Sequence, residues 1–177
     1  AKALERILKF IQDSSESIWV AAQHISGNPL SNEECFLKAL LDKGREGCEL
    51  KCLSQTYVDE NGESHGCRRP MNISSFKSFI GEAKKIKGFH YTANSNLHSK
   101  YIVADKQVLV STFNFTPSQF IYRNVSISHF DNIPDVSYEG VFSEVGHFTI
   151  INDSKIVDAY RANFEKICSL DTSYRAF

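Results

Sequence analysis

A histidine and a lysine stand two residues apart, at His98 and Lys100, just ahead of an apolar run that closes on Asp105. A second apolar run follows at once from Gln107 and ends in the polar turn Ser111-Thr112-Phe113-Asn114. In an extended segment residues two apart share a face, so an imidazole and an ammonium project together from the start of the first run. If the two runs form a hairpin across Asp105-Lys106, Asn114 returns toward His98. The set then combines a nucleophile or acid–base group, a point cation and a neutral amide donor, which suits it to gripping a phosphate. Thr112 adds a hydroxyl. Asp105 lies at the far end of the same strand, and its odd spacing from His98 puts it on the opposite face. A structural task is expected of it: holding the hairpin or neighbouring backbone.

The elements that must position these residues are legible in the periodicity. Leu4, Ile7, Leu8 and Ile11 recur at helical spacing, so Lys2 to Gln12 reads as an amphipathic helix. Ser17 to Ile25 is an apolar run of strand length. After the Asn28-Pro29 turn comes a helix starting at Ser31 or Asn32, with Phe36, Ala39 and Leu40 inward and Gly44 or Gly47 as its stop. Cys48 to Ser54 is the next strand, Gln55 to Met71 reads as a polar loop, and Ile73 to Lys87 as a helix. Strands follow around His90, at Lys100 to Asp105 and at Gln107 to Thr112. Asn124 to Phe130 alternates like a strand, Asp131 to Gly140 is turn-rich, and Val141 to Ile151 reads as a further strand. Asp153 caps a last helix carrying Ile156, Val157, Tyr160, Phe164 and Ile167. Strands alternating with helices predict an α/β fold: a central mixed, largely parallel β-sheet flanked by helices on both faces. No internal repeat appears, so residues 1–177 are expected to form one domain.

The 177 residues are 42% hydrophobic, enough for a real core, and carry a formal net charge of −1. A polyanion must therefore be held by a local patch, because the molecule as a whole offers no attractive field. No apolar run approaches the ~20 residues of a membrane span, and no segment reads as a secretory signal. The only methionine is Met71, which suggests a processed chain or part of a longer one. Five cysteines, an odd number, favour reduced thiols in a cytoplasmic compartment. Cys48, Cys52, His65 and Cys67 were weighed as a zinc set, but zinc sites usually show a tighter Cys-x-x-Cys pair, so no metal is expected.

His98-Ser-Lys100-Tyr-Ile-Val-Ala-Asp105 matches the H-x-K-x4-D signature of the phospholipase D superfamily, and the chain is identified as a member of it. Val108 to Thr116 resembles the family's strand and Gly-Ser-x-Asn continuation, with Thr112 and Asn114 at the Ser and Asn places and Ser111 at the common glycine. In size the chain is similar to the single-motif bacterial endonucleases of the superfamily. Relative to their compact pattern, Tyr122 to Ser143 is extra.

The resemblance implies a phospholipase D-like domain and a metal-independent phosphodiesterase without cofactor. Its implied catalytic set is His98, Lys100, Asn114 and the motif's Asp105, with Glu144 as the acceptor that fixes the imidazole tautomer. Glu139 is the fallback for Glu144. One histidine would form a phosphohistidine and a second would protonate the leaving oxygen. Yet His24, His65, His90, His129 and His147 all lack a lysine two places on. The second motif must come from an identical subunit, as a homodimer, or from another half of a longer polypeptide.

Three functions compete. In a nuclease of DNA or RNA, Lys100, Thr112 and Asn114 would bind substrate with Arg68, Arg69 and Arg123, and Tyr57 or Tyr122 would stack bases. A phospholipid phosphodiesterase or transphosphatidylase half would need an apolar entrance, for which Phe113, Phe115, Phe120 and the region of Ile133 are candidates. A non-catalytic dimerisation domain would have no need of the intact His98-Lys100-Asn114 set.

Overall fold

The computed structural model describes residues 2–25, 36–66, 73–115, 123–125, 140–142 and 147–177. The chain runs α1 (Lys2–Gln12), β1 (Ser17–Ala22), α2 (Phe36–Arg45), β2 (Glu49–Ser54), β3 (Thr56–Val58), β4 (Ser64–Gly66), α3 (Ile73–Ala83) and β5 (His90–Asn94). It continues through β6 (Lys100–Ala104), β7 (Gln107–Ser111), β8 (Arg123–Val125), β9 (Gly140–Phe142), β10 (Phe148–Ile151), α4 (Ser154–Cys168) and β11 (Ser173–Arg175). Seven strands form one mixed sheet in the order β10-β7-β6-β1-β2-β5-β11.

Every residue of β1 is buried, which fits its place at the centre with layers on both faces. Side-chain alternation sorts it between two cores. Ile18, Val20 and Ala22 join Ile7, Ile11, Leu37, Leu40 and Phe79 on the face covered by α1, α2 and α3. Trp19 and Ala21 join Tyr101, Val103, Val157 and Phe164 on the face covered by α4. Each fully buried apolar side chain here contributes about 1.5–3 kcal/mol. Asp153 caps α4 as the sequence predicts, its carboxylate accepting from the Ile156 amide at 3.1 Å.

The mixed sheet and its two helical layers are as expected, but its balance is not. Only the β1–β2 and β2–β5 ladders, spanned by the α2 and α3 connections, are parallel. The β1–β6, β6–β7, β7–β10 and β5–β11 ladders are antiparallel. The two-residue turn after β6 accounts for one of these: Ala104 pairs with Gln107, which reverses the chain between β6 and β7. Asp105 takes a positive φ of 50° in that turn, a conformation that aspartate tolerates better than most residues.

The stretch read as a polar loop holds a hairpin. β3 and β4 pair antiparallel, and Tyr57 and Val58 are buried in the larger core. The Asp59 carboxylate accepts from the Asn61 and Glu63 amides at 2.9 Å each and shapes the turn through Asn61-Gly62. At Gly66 φ is +99°, and a Cβ would lie 2.0 Å from the Gln55 carbonyl oxygen, so only glycine closes the hairpin. The last strand, β11, was not anticipated. It caps the β5 edge, with Tyr174 stacked on His65 at a centroid distance of 3.8 Å.

Within the segment noted as extra, β8 and β9 form a two-stranded ribbon. Arg68, Arg69, Tyr122, Glu139, Glu144, Phe120, Ile133 and Cys67 lie outside the described residues, as do the expected helix start at Ser31 or Asn32 and most of the Asn124–Phe130 strand. Among the described residues no helix is long and apolar enough to cross a membrane.

Candidate active site

Strand direction decides what meets what. β6 runs antiparallel to both β1 and β7, so the start of β6 adjoins the ends of β1 and β7. β10 is antiparallel to β7 in turn, which brings its start to the same place. His98, Lys100, Thr112, Asn114 and the previously unassigned Gln23, His24 and His147 therefore gather along one end of the sheet. Asp105 closes the other end of β6. At ~3.3 Å per residue it lies on the order of 17 Å from Lys100.

Asn114 is held by what flanks it. Phe113 and Phe115 are both buried, and Phe115 stacks on Phe36 with ring centroids 4.9 Å apart. An isolated parallel bridge joins Phe115 to Ile25. Between these anchors the Asn114 amide oxygen accepts from the His24 backbone N–H at 3.1 Å. That bond orients the amide and leaves its NH2 group as the donor. Ser111 builds the approach, its hydroxyl accepting from the Phe113 N–H at 2.9 Å and donating to the Phe113 carbonyl at 2.8 Å. Phe113 and Phe115 are core residues, which removes both from the apolar entrance considered above.

The Lys100 ammonium donates to the His98 carbonyl at 2.8 Å and lies 3.5 Å from the Gln23 amide oxygen. No carboxylate among the described residues pairs with it. Burial holds its pKa below the usual lysine range. A half-buried cation with two neutral acceptors is under-compensated, and an incoming anion would supply what is missing. His98 is exposed, and its ring makes no hydrogen bond among the described residues. Thr112 is placed at the site but is already engaged. Its hydroxyl donates to the His147 carbonyl at 3.2 Å and accepts from the His147 N–H at 3.0 Å. These bonds tie the end of β7 to the start of β10 and hold the Thr112 hydroxyl at the edge of the site.

Asp105 has a full set of partners at the opposite end. Its carboxylate accepts from the backbone N–H groups of Ser15, Glu16 and Ser17 at 2.8, 2.9 and 3.0 Å. Its carbonyl accepts from Arg161 at 2.6 Å. Burial alone would raise its pKa, but the backbone donors outweigh that and hold it below the ordinary carboxylate range.

Of the cysteines considered for zinc, Cys48 and Cys52 are buried. The Cys48 thiol faces the Ser14 carbonyl at 3.7 Å, and Cys52 is buried within β2, where desolvation pushes its thiol pKa up. His65 hydrogen-bonds Asp59 at 3.1 Å in the β3–β4 hairpin.

A cleft of about 650 Å³ opens beside His98 and Lys100. Its walls are the start of β6, the end of β7 and the middle turns of α4, including Tyr160 and Asn163. Neither of these α4 residues was marked in the sequence as a site residue, because they look like an ordinary helical stripe. Gln23 and His24 were hidden in the same way, as the tail of a core strand.

The match that decides the family covers most of the chain: a family model described as "Cardiolipin synthase, PLD-like domain" fits residues 7–139. The chain belongs to the PLD-like family. The H-x-K-x4-D motif lies inside that match, and Glu144 lies just beyond it. No curated protein sequence matches the chain.

Among solved structures, the PLD-like chain is similar to the phospholipase D family member Nuc from Salmonella typhimurium. They share 17% identity at a TM-score of 0.60, over 98% of this chain and 90% of that one. NucT from Helicobacter pylori gives 12% identity and a TM-score of 0.58, over 94% of this chain and 87% of NucT. Phosphatidylserine synthase from Haemophilus influenzae gives 14% and 0.59, over 98% of this chain but only 36% of the synthase. At these identities the likeness is one of fold.

Proposed function

We propose that this member of the PLD-like phosphodiesterase superfamily hydrolyses phosphodiester bonds of nucleic acid without a metal, through a phosphohistidine intermediate. The observation that carries the reading is Lys100: a desolvated cation with no carboxylate among its described neighbours, beside the exposed His98 and the oriented Asn114 amide. His98 would use its ring lone pair to form an N–P bond as the P–O bond to the leaving group breaks. The leaving oxygen takes its proton from the histidine of a second motif. That histidine, now neutral, takes a proton from water, and the resulting hydroxide displaces phosphate from His98 and restores both rings. Lys100 and the Asn114 NH2 would neutralise charge on the equatorial oxygens throughout. Glu144 remains the proposed tautomer-fixing acceptor, and Arg68 and Arg69 remain proposed strand contacts.

One motif per chain implies two copies around one phosphorus, as a homodimer or as halves of a longer polypeptide. The near-complete mutual coverage with Nuc supports a unit of this size. The burial of Phe113 and Phe115, which takes them away from an apolar entrance, favours nucleic acid over a lipid surface.

The test is incubation with labelled single- and double-stranded DNA, RNA and phosphatidylcholine vesicles, with and without EDTA, for the wild type and His98→Ala. Cleavage of nucleic acid that survives EDTA and disappears in the variant supports the reading. Cleavage abolished by EDTA would overturn the metal-independent mechanism, and cleavage of lipid alone would move the chain to the phospholipid branch.

A further inference from the structure

The cleft beside His98 has a chemical character unlike that of the phosphate-gripping end. Apart from His98 and Lys100, its described lining is uncharged and includes Tyr101, Val110, Tyr160 and Asn163. Among the described residues no carboxylate lines it to hold a cationic headgroup, and no cation beyond Lys100 lines it to hold a second phosphate. What it offers is an aromatic ring and an amide. Tyr160 and Asn163 lie three residues apart on α4, so both face the cleft from adjacent turns. Tyr101 packs edge-on against Tyr160, with centroids 4.7 Å apart at 67°, and this fixes the plane of the Tyr160 ring. The Tyr101 hydroxyl donates to the Asn163 amide oxygen at 3.3 Å, which leaves the Asn163 NH2 as the donor. The Tyr160 hydroxyl makes no hydrogen bond among the described residues.

We infer that this cleft is a nucleobase subsite for the nucleotide whose phosphate sits at His98 and Lys100. The inference rests on the nuclease reading and sharpens it. Tyr160 supplies a stacking face that every base can use, and the Asn163 NH2 donates to a base carbonyl oxygen: O2 or O4 of a pyrimidine, or O6 of guanine. A volume of about 650 Å³ accommodates a base and its sugar. A base held in a duplex cannot enter, so the substrate is single-stranded or locally opened at the cut.

The experiment compares kcat/KM for a single-stranded oligonucleotide with that for an abasic tetrahydrofuran oligomer of equal length. It uses the wild type, Tyr160→Phe, Tyr160→Leu and Asn163→Ala. In the wild type the base-bearing strand is expected to be preferred by about tenfold or more, the scale of one base–aromatic stack. Tyr160→Phe keeps that preference, Tyr160→Leu brings the ratio near one mainly through KM, and Asn163→Ala lowers it for carbonyl-bearing bases and not for adenine. A wild type that cuts both strands equally overturns the base subsite while leaving the nuclease reading in place. A wild type that cuts neither removes both. Loss of rate on both strands in equal proportion in Tyr160→Leu assigns Tyr160 to packing. A change in sedimentation in Tyr160→Leu or Asn163→Ala assigns the cleft to contact with a second copy. Either of these last results overturns the proposal.

Discussion

The two ends of β6 carry the two ends of one sequence motif, and they are built on opposite terms. At the Asp105 end the carboxylate meets three backbone N–H groups, the carbonyl meets Arg161, and the turn is closed in register. At the His98 end, among the described residues, an imidazole stands free in solvent and a half-buried ammonium has no counter-charge. The contrast separates stability from function within a single strand. On the proposed reading, groups with complete partners hold the fold and groups with incomplete partners would take a ligand.

That contrast can be broken most directly at His98. His98→Ala is expected to lower phosphodiesterase turnover by about 10⁴-fold, since it removes both the nucleophile and the acid, while the melting temperature stays within about 1 °C. A large fall in melting temperature would mean that the exposed ring supports the fold after all. Lys100→Met should cost on the order of 10³-fold in turnover. Its melting temperature should be no lower than that of the wild type, because the variant removes a desolvated charge. Clear destabilisation, read by calorimetry, would show that Lys100 already has its counter-charge. Asn114→Ala mixes the two roles: about 10²-fold in activity, and about 1 kcal/mol from the His24 N–H left without its acceptor.

Asp105 should behave in the reverse sense. Asp105→Asn is expected to cost about 2 kcal/mol, or roughly 4–8 °C, with activity per folded molecule near that of the wild type. A drop in activity without a drop in stability would sink the division between the two ends. The smallest effect is one of pH. The folded-state pKa of Asp105 lies below its ordinary value, so its contribution is present above about pH 4 and is lost as pH falls through the folded-state pKa. The stability gap between wild type and Asp105→Asn, measured by denaturant titration, should therefore narrow below pH 4 and stay constant from pH 5 to 8.

The sequence read well wherever a single period ran long enough. α1, α4 and the central strands were clear from alternation or helical spacing, and the β6–β7 turn was clear from two adjacent apolar runs. The β3–β4 hairpin was missed because only Tyr57 and Val58 commit it to the core, and a polar turn dominates its composition. β11 was missed because three residues, Ser173 to Arg175, carry no period at all. The site was legible where the motif is contiguous. Gln23, His24 and His147 join it through strand direction, and Tyr160 and Asn163 through the packing of a helix more than 50 positions away. The bonds of the Thr112 hydroxyl to the His147 backbone were not legible, because a backbone partner leaves no mark in side-chain identity.

The order of the strands bears on how two copies can share one phosphorus. The described sheet ends in β10 on one side and β11 on the other, and β6 is the third strand from the β10 edge. Neighbouring strands lie about 4.8 Å apart, so two copies joined side by side through β10 would hold their β6 strands ~24 Å from each other. Joined through β11 they would be ~43 Å apart. Neither distance lets two imidazoles address one atom from opposite sides. A centre shared by two copies would therefore be met at the strand ends beside His98 and not through paired sheet edges. Edge-to-edge growth of the sheet would instead leave two His98 rings too far apart to complete one centre.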